Sequence, residues 1–408
     1  MSIVRSHVLC GVMLSSLAFA AACSSDDDAK PNTQPANNDA AASDANAPDA
    51  EQPDAGACEP MPNADLVREA PVFLADSSYK TLFTLGNDFP FGVTQVHAAA
   101  GSTYSSRWGR HGGPLASGFD NDGNPTAVRW TIPSSPTAAA TMVALPIARE
   151  QMPSKFFWGN DGMIDLPFGN VALHSYSTSA TAFAGEALLY NADYTAVVAR
   201  AHVNGYYAGA GLTDGCKNVI AYAGLSPLAA AASTTQENGL YAAEVCAGAL
   251  LGATGCKAPA KLFAWTGASG PVTTDAHGNV FVAASVSAPT AGDVGYGFTR
   301  AQMVAGVPAM PATLGSQPGG GTAALAAVAP TSTSDGWLLG LDFSESAALY
   351  AYGYQDKTGA IVAGAKVSAA ISPAKGQTIQ PFTDAEGDLW LAVSHGASAS
   401  FVELRRKP

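Results

Sequence analysis

Charged residues are scarce in this chain: Asp, Glu, Lys and Arg make up 13% of its 408 residues. Acids outnumber bases, and the formal net charge at pH 7 is −13. A surface that binds nucleic acid is basic, because Lys and Arg must replace the counterions around the phosphates. The composition therefore argues against a nucleic-acid partner.

Helical periodicity is also lacking. No long segment places apolar residues at helical spacing between capping residues, and the alanine-rich runs at 229–232 and 323–327 adjoin Gly, Pro or Ser-Thr clusters. Short stretches in which apolar residues alternate with other residues are frequent instead, and this period is typical of β-strands. We predict an all-β fold.

A long, mainly apolar run lies at the N-terminus. Arg5 precedes apolar residues 8–20, small residues follow up to residue 22, and Cys23 comes next. The run is too short to span a membrane. The arrangement resembles a bacterial lipoprotein signal peptide, which implies removal of residues 1–22 and lipidation of Cys23. In such lipoproteins an Asp directly after the lipidated Cys often retains the protein in the inner membrane, so Ser24 at this position implies the outer membrane. The alternative is an ordinary secretory signal cleaved before Cys23.

Residues 23–57 contain no aromatic residue, and residues 24–57 hold eight acids and one Lys. Such a segment cannot bury enough apolar surface to offset its chain entropy. We predict a disordered tether that leads from lipidated Cys23 to a folded domain at 58–408, which is long for a single sandwich.

Cysteine is rare, and no Cys-x-x-Cys pair is present. Once Cys10 leaves with the signal peptide and Cys23 takes the lipid, Cys58, Cys216, Cys246 and Cys256 remain, and these four allow three pairings. We predict disulfides Cys246–Cys256, across a short loop, and Cys58–Cys216. Free thiols or a metal pair are the alternative in an otherwise oxidising compartment.

One sequence motif is repeated: an acidic turn, a Gly, and a strand in which apolar residues alternate with others. It reads TDAHGNVFVA at 274–283 and TDAEGDLWLA at 383–392. Weaker copies give leading glycines at 205, 239, 278, 336 and 387, and Gly169 and Gly123 extend the series upstream. The average step of about 45 residues matches one four-stranded blade of a β-propeller.

These repeated motifs resemble the blade repeats of bacterial NHL-type and sensor-type β-propellers. The resemblance implies an all-β propeller of about 6–8 blades, with seven favoured. The last repeat has three strands before the chain ends at Pro408. We therefore expect an N-terminal strand, from 70–74 or 80–85, to complete the last blade. A β-sandwich is the alternative.

Two loops are candidate binding sites. Arg107, Trp108, Arg110 and His111 form the densest cluster of cationic and aromatic residues, which suits an anionic or sugar-like ligand. An exposed loop without function is the alternative.

The second loop has the sequence DNDGN at 120–124, in which side chains with oxygen atoms stand around a Gly as they do in calcium loops, and Asp120, Asp122 and Asn124 are the candidate ligands. A polar turn is the alternative, since no Glu follows at the spacing that completes such a site.

Asp275, Asp335 and Asp384 stand just before the repeated glycines. They could line one face of a propeller and act on a substrate, but we interpret them as turn caps. We find no nucleophile elbow, Walker loop, dinucleotide fingerprint or His-Glu-x-x-His in a fitting context.

We therefore assign no catalytic residue and no cofactor. We expect a monomeric lipoprotein of the outer membrane, anchored by its acyl chain, whose propeller binds or scaffolds a protein or glycan. The alternative is a propeller hydrolase or lyase with a calcium-type metal in its central channel.

Overall fold

A computed structural model describes the folded part of the chain in segments. The described residues are 68–100, 107–109, 113–119, 125–145, 157–166, 169–179, 182–190, 194–203, 206–214, 217–224, 239–244, 260–264, 268–285, 293–299, 312–314, 322–342, 348–355, 360–361, 367–384, 386–396 and 398–408. The predicted signal peptide, tether and domain start lie outside them. Within these segments the one helix is a 3-10 turn at Asp76–Ser78, and no helix is long and apolar enough to cross a membrane.

The strands form six antiparallel sheets, which we number I to VI. Two N-terminal strands belong to the last two sheets: β1 (Phe83–Leu85) is part of sheet V and β2 (Phe91–Ala100) is part of sheet VI. Sheet I contains β3 (Arg107–Gly109), β4 (Gly113–Phe119), β5 (Pro125–Thr131) and β6 (Thr141–Ala144). Sheet II contains β7 (Phe157–Leu166), β8 (Gly169–Ser179), β9 (Ala182–Tyr190) and β10 (Val197–Val203). Sheet III contains β11 (Tyr206–Asp214), β12 (Lys217–Gly224), β13 (Gly239–Glu244) and β14 (Ala260–Ala264).

The last three sheets contain the repeated motifs with Gly278, Gly336 and Gly387. Sheet IV contains β15 (Ala268–Thr274), β16 (Val280–Ser285), β17 (Asp293–Phe298) and β18 (Ala312–Leu314). Sheet V contains β19 (Thr322–Val328), β20 (Gly336–Asp342), β21 (Ala348–Tyr354), β22 (Val367–Pro373) and β1. Sheet VI contains β23 (Thr378–Thr383), β24 (Leu389–His395), β25 (Ser398–Arg406) and β2.

The first strands of neighbouring sheets lie side by side. Strands β3, β7, β11, β15, β19 and β23 each contact the next in this order, and β23 also contacts β3. Successive four-stranded antiparallel sheets arranged in this way are typical of β-propeller blades. The all-β prediction is confirmed for the segments that the structure describes, which form six sheets where seven blades were favoured. A sandwich would instead place its strands in two facing sheets.

The fourth strand of sheet VI is β2. It pairs antiparallel with β25, from Phe91 opposite Arg406 to Ala100 opposite Ser398. The missing strand thus comes from the N-terminal side, but neither of the two expected segments supplies it. Residues 83–85 form β1, which pairs with β22 as a fifth strand of sheet V. The segment 70–74 contacts β2 through a hydrogen bond from the Leu74 N–H to the Val93 carbonyl oxygen, at 2.7 Å.

The repeated glycines occupy different places in their sheets. Gly278, Gly336 and Gly387 precede or begin the second strands β16, β20 and β24. Gly239 begins a third strand and Gly205 precedes a first strand, so these two copies are out of phase with the others.

Their physical roles differ as well. Gly278 and Gly387 have φ angles of +81° and +83°, which glycine adopts without strain. Gly336 is required by a close approach instead, because a Cβ there would lie 2.3 Å from Cζ of Tyr354.

The core is a series of clusters between neighbouring sheets. The largest of those described lies between sheets V and VI, including their strands β1 and β2. It contains the buried side chains of Phe83, Phe91, Leu339 and Leu391. Another joins sheet VI to sheet I, where the Trp130 and Phe401 ring centroids are 5.2 Å apart. Apolar burial between the sheets, at about 25 cal/mol per Å², is the main stabilising contribution.

Replacing Phe83 tests the role of β1. Phe83 is fully buried and stacks on Tyr79, so we expect Phe83→Ala to lower the free energy of unfolding by about 3–5 kcal/mol. The control is Val72→Ala, at a residue that is 81% exposed, where the change should stay within about 0.5 kcal/mol. Urea denaturation measures both. Equal, small effects would contradict the packing of β1 in sheet V.

Candidate functional site

The residues predicted to bind ligands belong to sheet I and its connections. Arg107 and Trp108 are part of β3, opposite Leu115 and Pro114 in β4. Arg110 and His111 lie outside the described residues, in the connection from β3 to β4.

The predicted calcium ligands Asp120, Asp122 and Asn124 also lie outside the described residues, in the connection from β4 to β5. Because the strands are antiparallel, the two connections start from opposite ends of β4. The cysteines named as disulfide partners lie outside as well, and the predicted pairs remain to be checked by peptide mapping under non-reducing conditions.

Three carboxyl groups meet in sheet VI. Asp384 and Asp388 belong to the turn between β23 and β24, and Glu403 is on β25 opposite Trp390. One oxygen from each of the three lies within 4.8 Å of the others. The register of the sheet brings them together, because the turn before β24 lies beside the C-terminal part of β25.

Two guanidinium groups balance this acidic cluster. Arg68 donates hydrogen bonds to the Asp388 carboxylate and to the Glu386 carbonyl oxygen. The Arg405 Nε lies 3.0 Å from Glu403 Oε1 and 3.4 Å from Asp388 Oδ2. The other oxygen of Glu403 accepts a hydrogen bond of 2.6 Å from the Thr94 hydroxyl on β2.

Asp384 has its own set of donors. One carboxyl oxygen accepts from the backbone N–H groups of Glu386 (3.0 Å) and Asp388 (2.8 Å), and the other accepts from Trp390 Nε1 at 2.9 Å. Burial, with the charges of Asp388 and Glu386, raises the pKa of Asp384 to about 8, although the donors oppose this. Burial also raises the pKa of Asp388 to about 6, against the opposing charges of Arg68 and Arg405.

The cluster is a structural ion-pair network as it stands. Three carboxyl groups could hold a hard cation in principle. A cation at this place would have to displace Arg68 or bind beside two positive charges, and Asp384 is already occupied by three donors. The geometry therefore assigns these residues to holding the turn, β25 and the N-terminal segment together.

The turn before β16 uses the same device. Asp275 accepts from the N–H groups of His277 and Asn279, at 2.9 and 2.8 Å, and from the Asn279 side-chain amide at 2.7 Å. The interpretation of Asp275 and Asp384 as turn caps thus agrees with their hydrogen bonds. Asp335 is different: it is exposed, and Thr331 caps that turn by accepting from the Thr333 N–H at 3.3 Å.

A hydroxyl from the next sheet reaches the Asp275 carboxyl group. The Tyr354 oxygen lies 2.5 Å from Asp275 Oδ2 and 3.0 Å from the Val328 carbonyl oxygen. A phenol has one proton and a carbonyl oxygen can only accept, so a protonated Asp275 would satisfy both contacts. Burial raises the pKa of Asp275, which favours that form, while its hydrogen bonds to Tyr354 and Asn279 oppose the shift.

Sequence reasoning singled out Asp384 but not Arg68, Glu403 and Arg405, which belong to the same cluster. Local patterns contain no signal for them, because Arg68 and Asp388 are 320 residues apart in the chain.

Comparison with known proteins gives only distant similarity. No family model matches the chain, and no curated protein matches it. Similar solved structures include a glucose dehydrogenase, with 12% identity and a TM-score of 0.43 over 78% of this chain and 99% of that chain. The soluble aldose sugar dehydrogenase of Escherichia coli has 12% identity and a TM-score of 0.42 over 78% and 99%. A fucose-specific lectin from Aleuria aurantia has 11% identity and a TM-score of 0.33 over 80% and 99%. Similarity at this level assigns neither an activity nor a ligand.

Removing the hydroxyl of Tyr354 tests the link between sheets IV and V. Tyr354→Phe keeps the ring, which packs on Phe281 at 4.5 Å between centroids. The change leaves the buried Asp275 carboxyl group without one partner, so we expect it to lower the free energy of unfolding by about 1–3 kcal/mol. Denaturation of Tyr354→Phe, Asp275→Asn and the double variant measures the coupling. Strictly additive effects would contradict the link.

The raised pKa of Asp384 predicts how stability depends on pH. Between its ordinary value of 3.8 and about 8, the folded protein holds a proton that the unfolded chain releases. Its contribution to stability is therefore complete at low pH and is lost as the pH rises to about 8. Asp388 acts in the same direction between 3.8 and about 6.

Asp384→Asn removes the first of these contributions. We expect the variant to lose less stability than the wild type when the pH rises from about 5 to about 9. Denaturation midpoints across this range provide the measurement. Parallel pH profiles for the two proteins would show that Asp384 does not take up a proton on folding.

Proposed function

We propose that this protein is an outer-membrane lipoprotein whose six sheets form a closed six-bladed propeller, completed by β2, that binds a protein or glycan ligand. The lipid on Cys23 is its anchor, and residues 24–57 are its spacer. The observation that supports this arrangement is the contact of Arg68 with Glu386 and Asp388. Arg68 is the first residue that the structure describes, and this contact holds the start of the described chain against the 384–388 turn.

That place defines two faces. The 384–388 turn joins the first strand of sheet VI to the second, so the described chain begins at the face where such turns lie. The connections from second to third strands, such as the one between Phe119 and Pro125, belong to the opposite face. With the lipid in the membrane, this opposite face can be reached by partners, and we assign ligand binding to it. β4 ends and β5 begins at this face, and the candidate ligands Asp120, Asp122 and Asn124 belong to the connection between them, outside the described residues.

Cys23→Ser tests the anchor. We expect the wild type in the membrane fraction and the variant in the soluble fraction, because a single cysteine provides the acyl attachment. The matched control is Ser24→Ala, which leaves the cysteine in place. Equal membrane association of Cys23→Ser and the wild type would exclude anchoring through Cys23.

Binding is tested with the mature Cys23→Ser protein on a glycan array and by calcium titration in a calorimeter. A glycan signal that Asp120→Ala or a neighbouring loop substitution removes, with no catalytic turnover, supports a binding module. Calcium binding that depends on the 120–124 loop, together with hydrolysis or elimination of a glycan, would favour the enzyme interpretation and contradict ours.

A further inference from the structure

The outer edge of β2 is covered by segments from elsewhere in the chain. The Val93 carbonyl accepts from the Leu74 N–H, the Val96 N–H donates to the Pro136 carbonyl, and the Ala98 carbonyl accepts from the Ala140 N–H, at 2.7–2.8 Å. An edge strand with free backbone groups can pair with a strand of another molecule. Residues 68–74 therefore shield the N-terminal end of β2.

The middle of this segment is weakly held. Val72 is 81% exposed and Phe73 is 36% exposed. The Phe73 ring lies over Gly92, where a Cβ would come within 2.5 Å of it. Beyond Leu74 the chain is firmly packed, since Tyr79 and Phe83 belong to the main core cluster. Leu74 itself packs against that cluster. Release of the N-terminal end would therefore leave the segment held by Leu74 and by the Phe73 ring, and lifting it from β2 would leave the pairing of β2 with β25 in place.

Arg68 fastens that end, and sheet V contains a close equivalent. Arg406 donates to the Asp335 carbonyl oxygen at 2.7 Å and to the Ser334 hydroxyl. Asp335 directly precedes Gly336, as Glu386 precedes Gly387. In both turns a guanidinium group binds the carbonyl oxygen before the glycine. At the turn of sheet V the guanidinium group is that of Arg406, on β25 of the neighbouring sheet. At the turn of sheet VI it is that of Arg68, in the N-terminal segment.

We propose that residues 68–74 are a releasable strap, locked by Arg68, that keeps the edge of β2 from pairing with a second copy of this chain. The lock is partly exposed, with Arg68 and Asp388 side chains at 24% and 18%, so salt and solvent can reach it. Opening it frees Leu74 from Val93 and exposes the start of the β2 edge, up to the part covered by Pro136 and Ala140, while β24 and β25 remain paired. This device goes beyond the proposed binding function and does not depend on lipidation.

Hydrogen exchange of the mature Cys23→Ser protein tests the strap. In Arg68→Ala the Leu74 amide should exchange about tenfold faster than in the wild type, whereas amides of β24 should be unchanged. Arg68→Lys should be intermediate, because an ammonium group cannot span two acceptors as a guanidinium group does. Glu69→Ala, at the exposed neighbouring residue, is the control and should match the wild type. Equal Leu74 exchange in Arg68→Ala and the wild type would overturn the lock.

Two further measurements separate strap release from unfolding and test its consequence. In about 1 M salt the wild-type Leu74 amide should exchange faster, with β24 unaffected, because the Arg68–Asp388 pair is screened. Light scattering over a range of concentrations should show association of Arg68→Ala but not of Glu69→Ala. If Arg68→Ala releases the strap and stays monomeric, the strap does not guard the edge.

Discussion

The pairing of β2 with β25 is the interaction on which the rest of the structure depends. It joins the first long strand of the folded chain to the last, and the Thr94–Glu403 hydrogen bond within it links residues 309 positions apart. Phe91 and Val93 on β2, with Val402 and Leu404 on β25, form one wall of the main core cluster. Without β2, this wall would be incomplete and β25 would be an open edge.

The strands that follow the acidic turns could be predicted from the sequence. Strong turn residues before an alternating apolar stretch specify β16, β20 and β24, because turn and strand signals are local. The partner of β25 could not be predicted in the same way. A bulge between Val93 and Gln95 interrupts the alternation in β2, so this strand has a weaker pattern than the shorter apolar runs that were expected in its place.

The candidate site shows the same limit. Asp384 was interpreted correctly as a turn cap, since a cap needs only its own turn. The ion pairs around Asp388 required the register of sheet VI and the path of the N-terminal segment, neither of which is local. The structure also changes the meaning of a raised carboxyl pKa here. Acids with a raised pKa, such as buried Asp275 and half-buried Asp384, are often sought as catalytic groups, but both have donors from their own turns and belong to the framework of the fold.

The order in which the chain is made has a consequence for its folding. β1 and β2 are among the first strands to be synthesised, but β1 pairs with β22 and β2 pairs with β25. Phe83 and Phe91 therefore stay without their final neighbours until nearly all of the polypeptide has been made. Contacts this distant are slow to form, because the intervening loop must close first. Until then the first strands are exposed to misfolding, and a holding chaperone would protect them at that stage.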